Sequence, residues 1–196
     1  CCRYRGYNFI SRLNGLLFTE DDKALIPAVY ASAVYDNGKV RIEETTGYPF
    51  DGKIIFSVAG DCGKKLKLRI PSWCEEYYIA VNGKKSSAPL VDGYATIEIS
   101  DGDEILLDLG IRLVKETVII GEKTYAGFSF GPIVMVPDSN LNDDIYSAKD
   151  CSGKFVRNDK TEYNLEFDSD SLKLTDYASS AKKHSDDEYT EWILVK

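Results

Sequence analysis

The chain has 196 residues, 43% of them hydrophobic, enough to bury one large core or two small ones. Asp and Glu outnumber Lys and Arg by 32 to 24, and the net charge of -8 excludes the clustered cations with which a protein neutralises nucleic-acid phosphates. No stretch approaches the roughly 20 apolar residues that span a bilayer, and none has the charged, apolar, small-residue order of a secretory signal, so neither nucleic acid nor membrane is expected as a partner.

The first predicted element is a helix. Phe9, Ile10, Leu13, Leu16 and Leu17 recur at helical spacing and draw one apolar stripe over residues 4–18. Residues 19–23 form a polar break, after which the period falls from near four to near two. Val40 and Ile42 alternate with Arg41 and Glu43, Leu66, Leu68 and Ile70 with Lys65, Lys67 and Arg69, and Ile97 and Ile99 with Glu98, the pattern of half-buried strands. Asn37-Gly38, Asp51-Gly52, Asn82-Gly83, Asp92-Gly93 and Asp101-Gly102 fall between such runs and accept the positive φ angles of tight hairpins. Short strands at even spacing with no helical crossovers predict antiparallel β-sandwiches rather than a parallel α/β fold. One sheet unit is expected to close near Gly110 to Gly121, and the run from Tyr125 to Val136 to open a second. A polar stretch, 137–154, reads as an exposed loop. Further strands are expected at 163–167, 172–175 and 191–195, with a polar excursion at 179–187. Three domains result: residues 1–23 as the last helix of a helical domain, 24–115 as a first β-sandwich and 116–196 as a second.

The chain opens on Cys1 and its one methionine is Met135, so it reads as a piece of a longer protein. Its five cysteines are odd in number and more than a well-cored chain needs for staples, which predicts reduced thiols and favours a cytoplasmic address. Cys1 and Cys2 are adjacent, with Cα atoms about 3.8 Å apart, below the usual disulfide range. At a helix start, exposed N–H groups and the helix dipole favour thiolates, the form that attacks electrophiles or binds zinc. Taken alone the pair also reads as two small buried hydrophobes, because free cysteine is commonly buried.

The neighbouring motifs change that balance. Cys1-Cys2 and its helix are followed by Ala24-Leu25-Ile26-Pro27-Ala28-Val29-Tyr30. Next comes Glu43-Glu44-Thr45-Thr46-Gly47-Tyr48-Pro49-Phe50-Asp51-Gly52, then Leu66-Lys67-Leu68-Arg69-Ile70-Pro71-Ser72-Trp73-Cys74. Val81-Asn82-Gly83, Gly93-Tyr94 with Gly102-Asp103, and Gly131-Pro132-Ile133-Val134 complete the series. In this order the motifs resemble the C-terminal portion of glycoside hydrolase family 127, the β-L-arabinofuranosidase group. Two departures stand beside the expected active site: Arg3-Tyr4-Arg5 where the family commonly has Pro-Pro-Asn, and Asn8 where an Arg is usual. The resemblance implies a mainly β chain, antiparallel β-sandwiches preceded by the last helix of an (α/α) barrel that lies upstream. It implies a retaining enzyme acting on a carbohydrate substrate through that barrel, with Cys1 as the nucleophile forming a thioglycosyl intermediate. It further implies a zinc ion held by Cys1 and Cys2 together with an upstream Cys and Glu, the zinc keeping the thiol deprotonated. The general acid, a carboxyl group of raised pKa, is likewise expected upstream, so this chain alone is expected to be inactive.

Other candidates are weaker. Cys62, Cys74 and Cys151 show no Cys-x-x-Cys spacing, and His184 sits in a polar run. Glu43 and Glu44, as neighbours on a strand, must face opposite ways and cannot flank one glycosidic bond. Asp138, Asn140 and Asn142 imitate a calcium loop, but Asp143 replaces its Gly and Lys149 its bidentate Glu. Trp73 with Tyr77 and Tyr78, or Tyr48 with Phe50, supply stacking surfaces for a non-catalytic carbohydrate-binding or structural module, the alternative to an enzyme, although strand aromatics more often fill cores.

Overall fold

The computed structural model describes residues 2–60, 63–137, 155–157, 163–167, 170–183 and 193–195. Cys1, Cys62, Cys151, His184 and the imitation calcium loop lie outside these residues. The chain divides into two compact units, Cys1–Gly110 and Ile111–Lys196.

The predicted first helix is present but broken. Helix α1 spans Cys2–Arg12 and a single turn, α2, spans Asn14–Leu17. The Leu13 N–H donates to the Ile10 carbonyl three residues back (3.2 Å), a tightening that interrupts the regular ladder. Phe18, placed in the helix by its periodicity, instead opens strand β1, Phe18–Glu20. The apolar stripe is not covered within its own unit, since Phe9 is 59% and Ile10 65% exposed.

The rest of the first unit is two sheets. One runs in the order β1, β2 (Ala24–Pro27), β6 (Lys65–Arg69), β10 (Tyr94–Ile97), β9 (Leu90–Val91). The other runs β3 (Ala33–Asp36), β4 (Val40–Thr46), β5 (Lys53–Gly60), β11 (Glu104–Leu109), β7 (Tyr77–Val81), β8 (Lys84–Lys85). Alternation decides which side chains enter the core. β4 and β5 switch strictly between buried and exposed positions, sending Val40, Ile42, Ile54, Phe56 and Val58 inward. Phe56 stands opposite Ile105, and Leu107 opposite both Ile54 and Ile79, so inward residues of neighbouring strands stack in register.

The predicted turn dipeptides close the hairpins. Asn82 (φ 50°) with Gly83 (φ 74°) joins β7 to β8, and Asp92 (φ 51°) with Gly93 (φ 79°) joins β9 to β10, both with the paired positive φ values that match strand twist. The pairing of β2 with β6 is parallel, because β3, β4 and β5 intervene in the opposite sheet before the chain returns.

Gly52 has a different task. Its carbonyl accepts the Leu109 N–H (2.9 Å), and a Cβ on Gly52 would overlap the Leu109 carbonyl oxygen. Gly52→Ala therefore has to push β5 from β11, and urea unfolding of the first unit is expected to show a loss of about 2–3 kcal/mol.

In the second unit all seven described strands share one sheet. Its order is β12 (Leu113–Ile120), β13 (Lys123–Phe130), β14 (Ile133–Pro137), β17 (Asp170–Asp176), β16 (Tyr163–Phe167), β15 (Phe155–Arg157), with β18 (Ile193–Val195) also pairing β13. Ala126, Phe128, Phe130, Met135, Val136 and Leu174 are its buried apolar residues among those described. Helix α3, Tyr177–Lys183, packs against β14 and β17 and occupies part of what reads as a polar excursion. Its start is capped by Asp176, whose Oδ1 accepts the Ser179 N–H (2.9 Å).

Candidate functional site

The cysteine pair meets the structure only in part: Cys2 is the first residue of α1, and Cys1 lies outside the described residues. Cys74 is buried and its Sγ–H donates to the Glu76 carbonyl (3.1 Å), while burial pushes its thiol up from the usual range. It is a structural thiol, kept neutral. No three His, Cys, Asp or Glu side chains among the described residues cluster closely enough to hold a metal ion. Tyr77 and Tyr78 are exposed at 37% and 38%, whereas Trp73, Tyr48 and Phe50 are half-buried.

Three of the sequence motifs, distant along the chain, meet at one cleft of about 140 Å³. Pro27 to Tyr30, leaving the end of β2, form one wall; Tyr48, in the turn after β4, forms another; Arg69 and Pro71, at the end of β6, form the third. The walls are tied to each other. The Tyr30 hydroxyl donates to the Arg69 carbonyl (2.7 Å), and the Tyr30 ring meets Tyr48 edge-on at 5.9 Å and Phe56 at 6.4 Å. The Ile70 N–H donates to the Gly93 carbonyl (2.8 Å), pinning the third wall to the β9–β10 hairpin. The Tyr48-Pro49 peptide bond is cis.

Glu44 sits beneath this arrangement. On β4 it takes the inward phase that Val40 and Ile42 set, and only 1% of its surface is exposed, while Glu43 faces solvent. The two carboxylates thus point to opposite faces, as their adjacency on a strand requires. One oxygen, Oε1, accepts the Ala31 N–H (2.9 Å), and the other, Oε2, has no hydrogen-bond partner among the described residues. Burial pushes the carboxyl pKa up to about 8, with the Ala31 bond opposing the shift. Burial first, and then the nearby Glu44, raise the Tyr30 phenol well above its ordinary value. The Tyr48 phenol is raised by burial, an effect that the Arg69 cation opposes. Motif order alone does not disclose the cleft, since Tyr30, Glu44 and Arg69 belong to three separate segments whose meeting is set by which sheet each strand joins.

The fold and cleft define a protein of two mainly antiparallel β-units, the first two-layered and carrying a tyrosine-walled cleft. Residues 28–111, which include every wall of the cleft except Pro27, match the family model described as the β-L-arabinofuranosidase GH127 middle domain. No curated protein matches the chain. Among solved structures, a GH127 β-L-arabinofuranosidase from Geobacillus stearothermophilus is similar with a TM-score of 0.72 and 21% identity, over 100% of this chain and 37% of that one. A second GH127 β-arabinofuranosidase is similar with a TM-score of 0.79 and 21% identity, over 100% and 38% respectively. A protein described as a glycoside hydrolase follows, with a TM-score of 0.63 and 13% identity over 91% and 37%. At these identities the likeness is one of fold. The chain spans less than two fifths of the length of each of these structures. No helix among the described residues is long and apolar enough to cross a membrane.

Proposed function

We propose that the chain serves a retaining glycoside hydrolase that cleaves an arabinofuranoside or similar linkage, with Cys1 as nucleophile. The observation that carries this reading is the match of residues 28–111 to the GH127 middle domain. Fold likeness over the whole chain to two solved GH127 enzymes supports it. Because the chain spans 37% and 38% of those enzymes, the general acid and the sugar pocket are assigned to the portion outside it.

Zinc fits Cys1 and Cys2 in kind. Thiolates are soft ligands suited to this ion, and Cys2 stands in the first turn of α1, where unpaired N–H groups favour negative charge. Two thiolates fall short of a tetrahedral set of four, so two further ligands have to come from elsewhere in the enzyme. Bound there, zinc would keep the sulfur deprotonated at neutral pH. The exposed apolar stripe supports the same reading, since Phe9, Ile10 and Leu16 need a covering surface.

On an aryl β-L-arabinofuranoside the whole enzyme is expected to turn over, and Cys1→Ala to lower the rate by at least about 10³-fold. The 196-residue chain alone is expected to give no turnover. Hydrolysis by the chain alone would overturn the placement of the general acid and sugar pocket outside it, and an undiminished Cys1→Ala enzyme would remove Cys1 from the chemistry.

A further inference from the structure

We propose that the cleft between Tyr30, Tyr48 and Arg69 is a binding site for a single sugar ring bearing a carboxylate, a hexuronate. Size is the first argument. At about 140 Å³ the cleft is close to the engineered cavity of about 150 Å³ that takes up benzene, so it matches one six-membered ring and not an oligosaccharide.

The walls give the second. The half-buried Tyr48 ring, braced edge to face by the buried Tyr30 and with Pro27 and Pro71 beside it, offers apolar surface suited to the C–H face of a pyranose. The walls are also held in advance. The Tyr30 hydroxyl is committed to the Arg69 carbonyl, and the segment following Tyr30 is anchored by the Ala31 N–H on Glu44, so little order has to be gained when a ligand enters.

Charge is the third argument and selects the ligand class. Arg69 is exposed, and no ion pair among the described residues includes it, in a chain whose acidic residues outnumber its basic ones. A planar guanidinium without a protein carboxylate is matched by a ligand carboxylate through two parallel N–H···O bonds. A dianionic phosphate fits worse, because Arg69 is the only cation on the cleft wall among the described residues and the protein carries a net charge of -8. The hydroxyl of half-buried Tyr48 remains to bond a ring hydroxyl.

The test is titration of the 196-residue chain, followed by NMR or calorimetry at fixed ionic strength, with methyl galacturonide, arabinose and inorganic phosphate as separate probes. Methyl galacturonide is expected to bind with a Kd of about 1 mM, the strength of a small ligand with few anchors, and arabinose and phosphate at least about tenfold more weakly. Arg69→Gln is expected to bring the uronide down to the level of the neutral sugar, with an unchanged melting temperature because the residue is exposed. Tyr48→Ala is expected to weaken uronide and arabinose alike. Equal binding of acid and neutral sugar, phosphate binding tighter than the uronide, no effect of Arg69→Gln, or no binding of the uronide would each overturn the proposal. None of these outcomes bears on Cys1, whose role is read from turnover of the whole enzyme.

Discussion

Glu44→Gln is expected to gain stability over the parent chain as pH rises, by about 1 kcal/mol at pH 5.5, about 3 at pH 7 and about 5 at pH 9. The cause is the depth of the carboxyl group, which is 1% exposed and whose pKa is pushed up from 4.5 to about 8. Below pH 4.5 the folded and unfolded chains both hold the proton and the fold has its full stability. As pH climbs from 4.5 towards 8, the unfolded chain releases the proton while the folded chain retains it, so unfolding becomes steadily easier. Above pH 8 both states are ionised, and the fold carries the whole penalty of a charge with one hydrogen bond in an apolar core. Glutamine keeps the shape and the Ala31 contact but cannot ionise. Its amide inherits the position of Oε2, which lacks a partner, and this adds a cost independent of pH. The readout is therefore how the difference widens with pH, measured by urea unfolding of the first unit through Trp73 in a Trp192→Phe background. A difference that stays flat from pH 5.5 to 9 would show that Glu44 reaches water.

Phe56→Ala is expected to cost about 3–5 kcal/mol in the same assay, the range for removing a large buried ring. Phe56 is fully buried on β5, opposite Ile105 on β11, with Val58 and Ile54 on the same face. Its ring also meets Tyr30 at 6.4 Å, so the cavity left behind opens directly under the cleft. Ile55 makes the control. It is the neighbouring residue on the strand, lies 36% exposed on the other face, and as Ile55→Ala is expected to lose less than half as much. Similar losses at both positions would contradict the strand phase on which the two-layered core is built.

That phase is legible in the residues alone. Val40 and Ile42, and Leu66, Leu68 and Ile70, alternate with charged residues, and all five are buried. Asn82-Gly83 and Asp92-Gly93 are legible as hairpin turns, and they are the non-glycine positive-φ sites of the described chain with their following glycines. The cysteine pair is legible as a candidate, with Cys2 opening α1, and the zinc role proposed for it would need ligands outside the chain. Helix α3 escapes the sequence pattern because Ser179, Ser180 and two lysines outweigh Asp176, although an acidic cap ahead of Tyr177 is the available signal. Arg69 reads as the outward residue of an alternating strand, which it is, with no hint that Tyr30 and Tyr48 would meet it.

What the sequence determined by itself is what depends on neighbours along the chain: the period of burial, the turns, and the opposed faces of Glu43 and Glu44. The tertiary structure alone decided which sheet each strand joined, that β2 and β6 would lie parallel, and that Tyr30, Tyr48 and Arg69 would share one cleft over a buried Glu44. Strand pairing joins residues tens of positions apart through backbone groups that every residue carries alike, so no local pattern records the partner. It is chosen by the packing of the whole core.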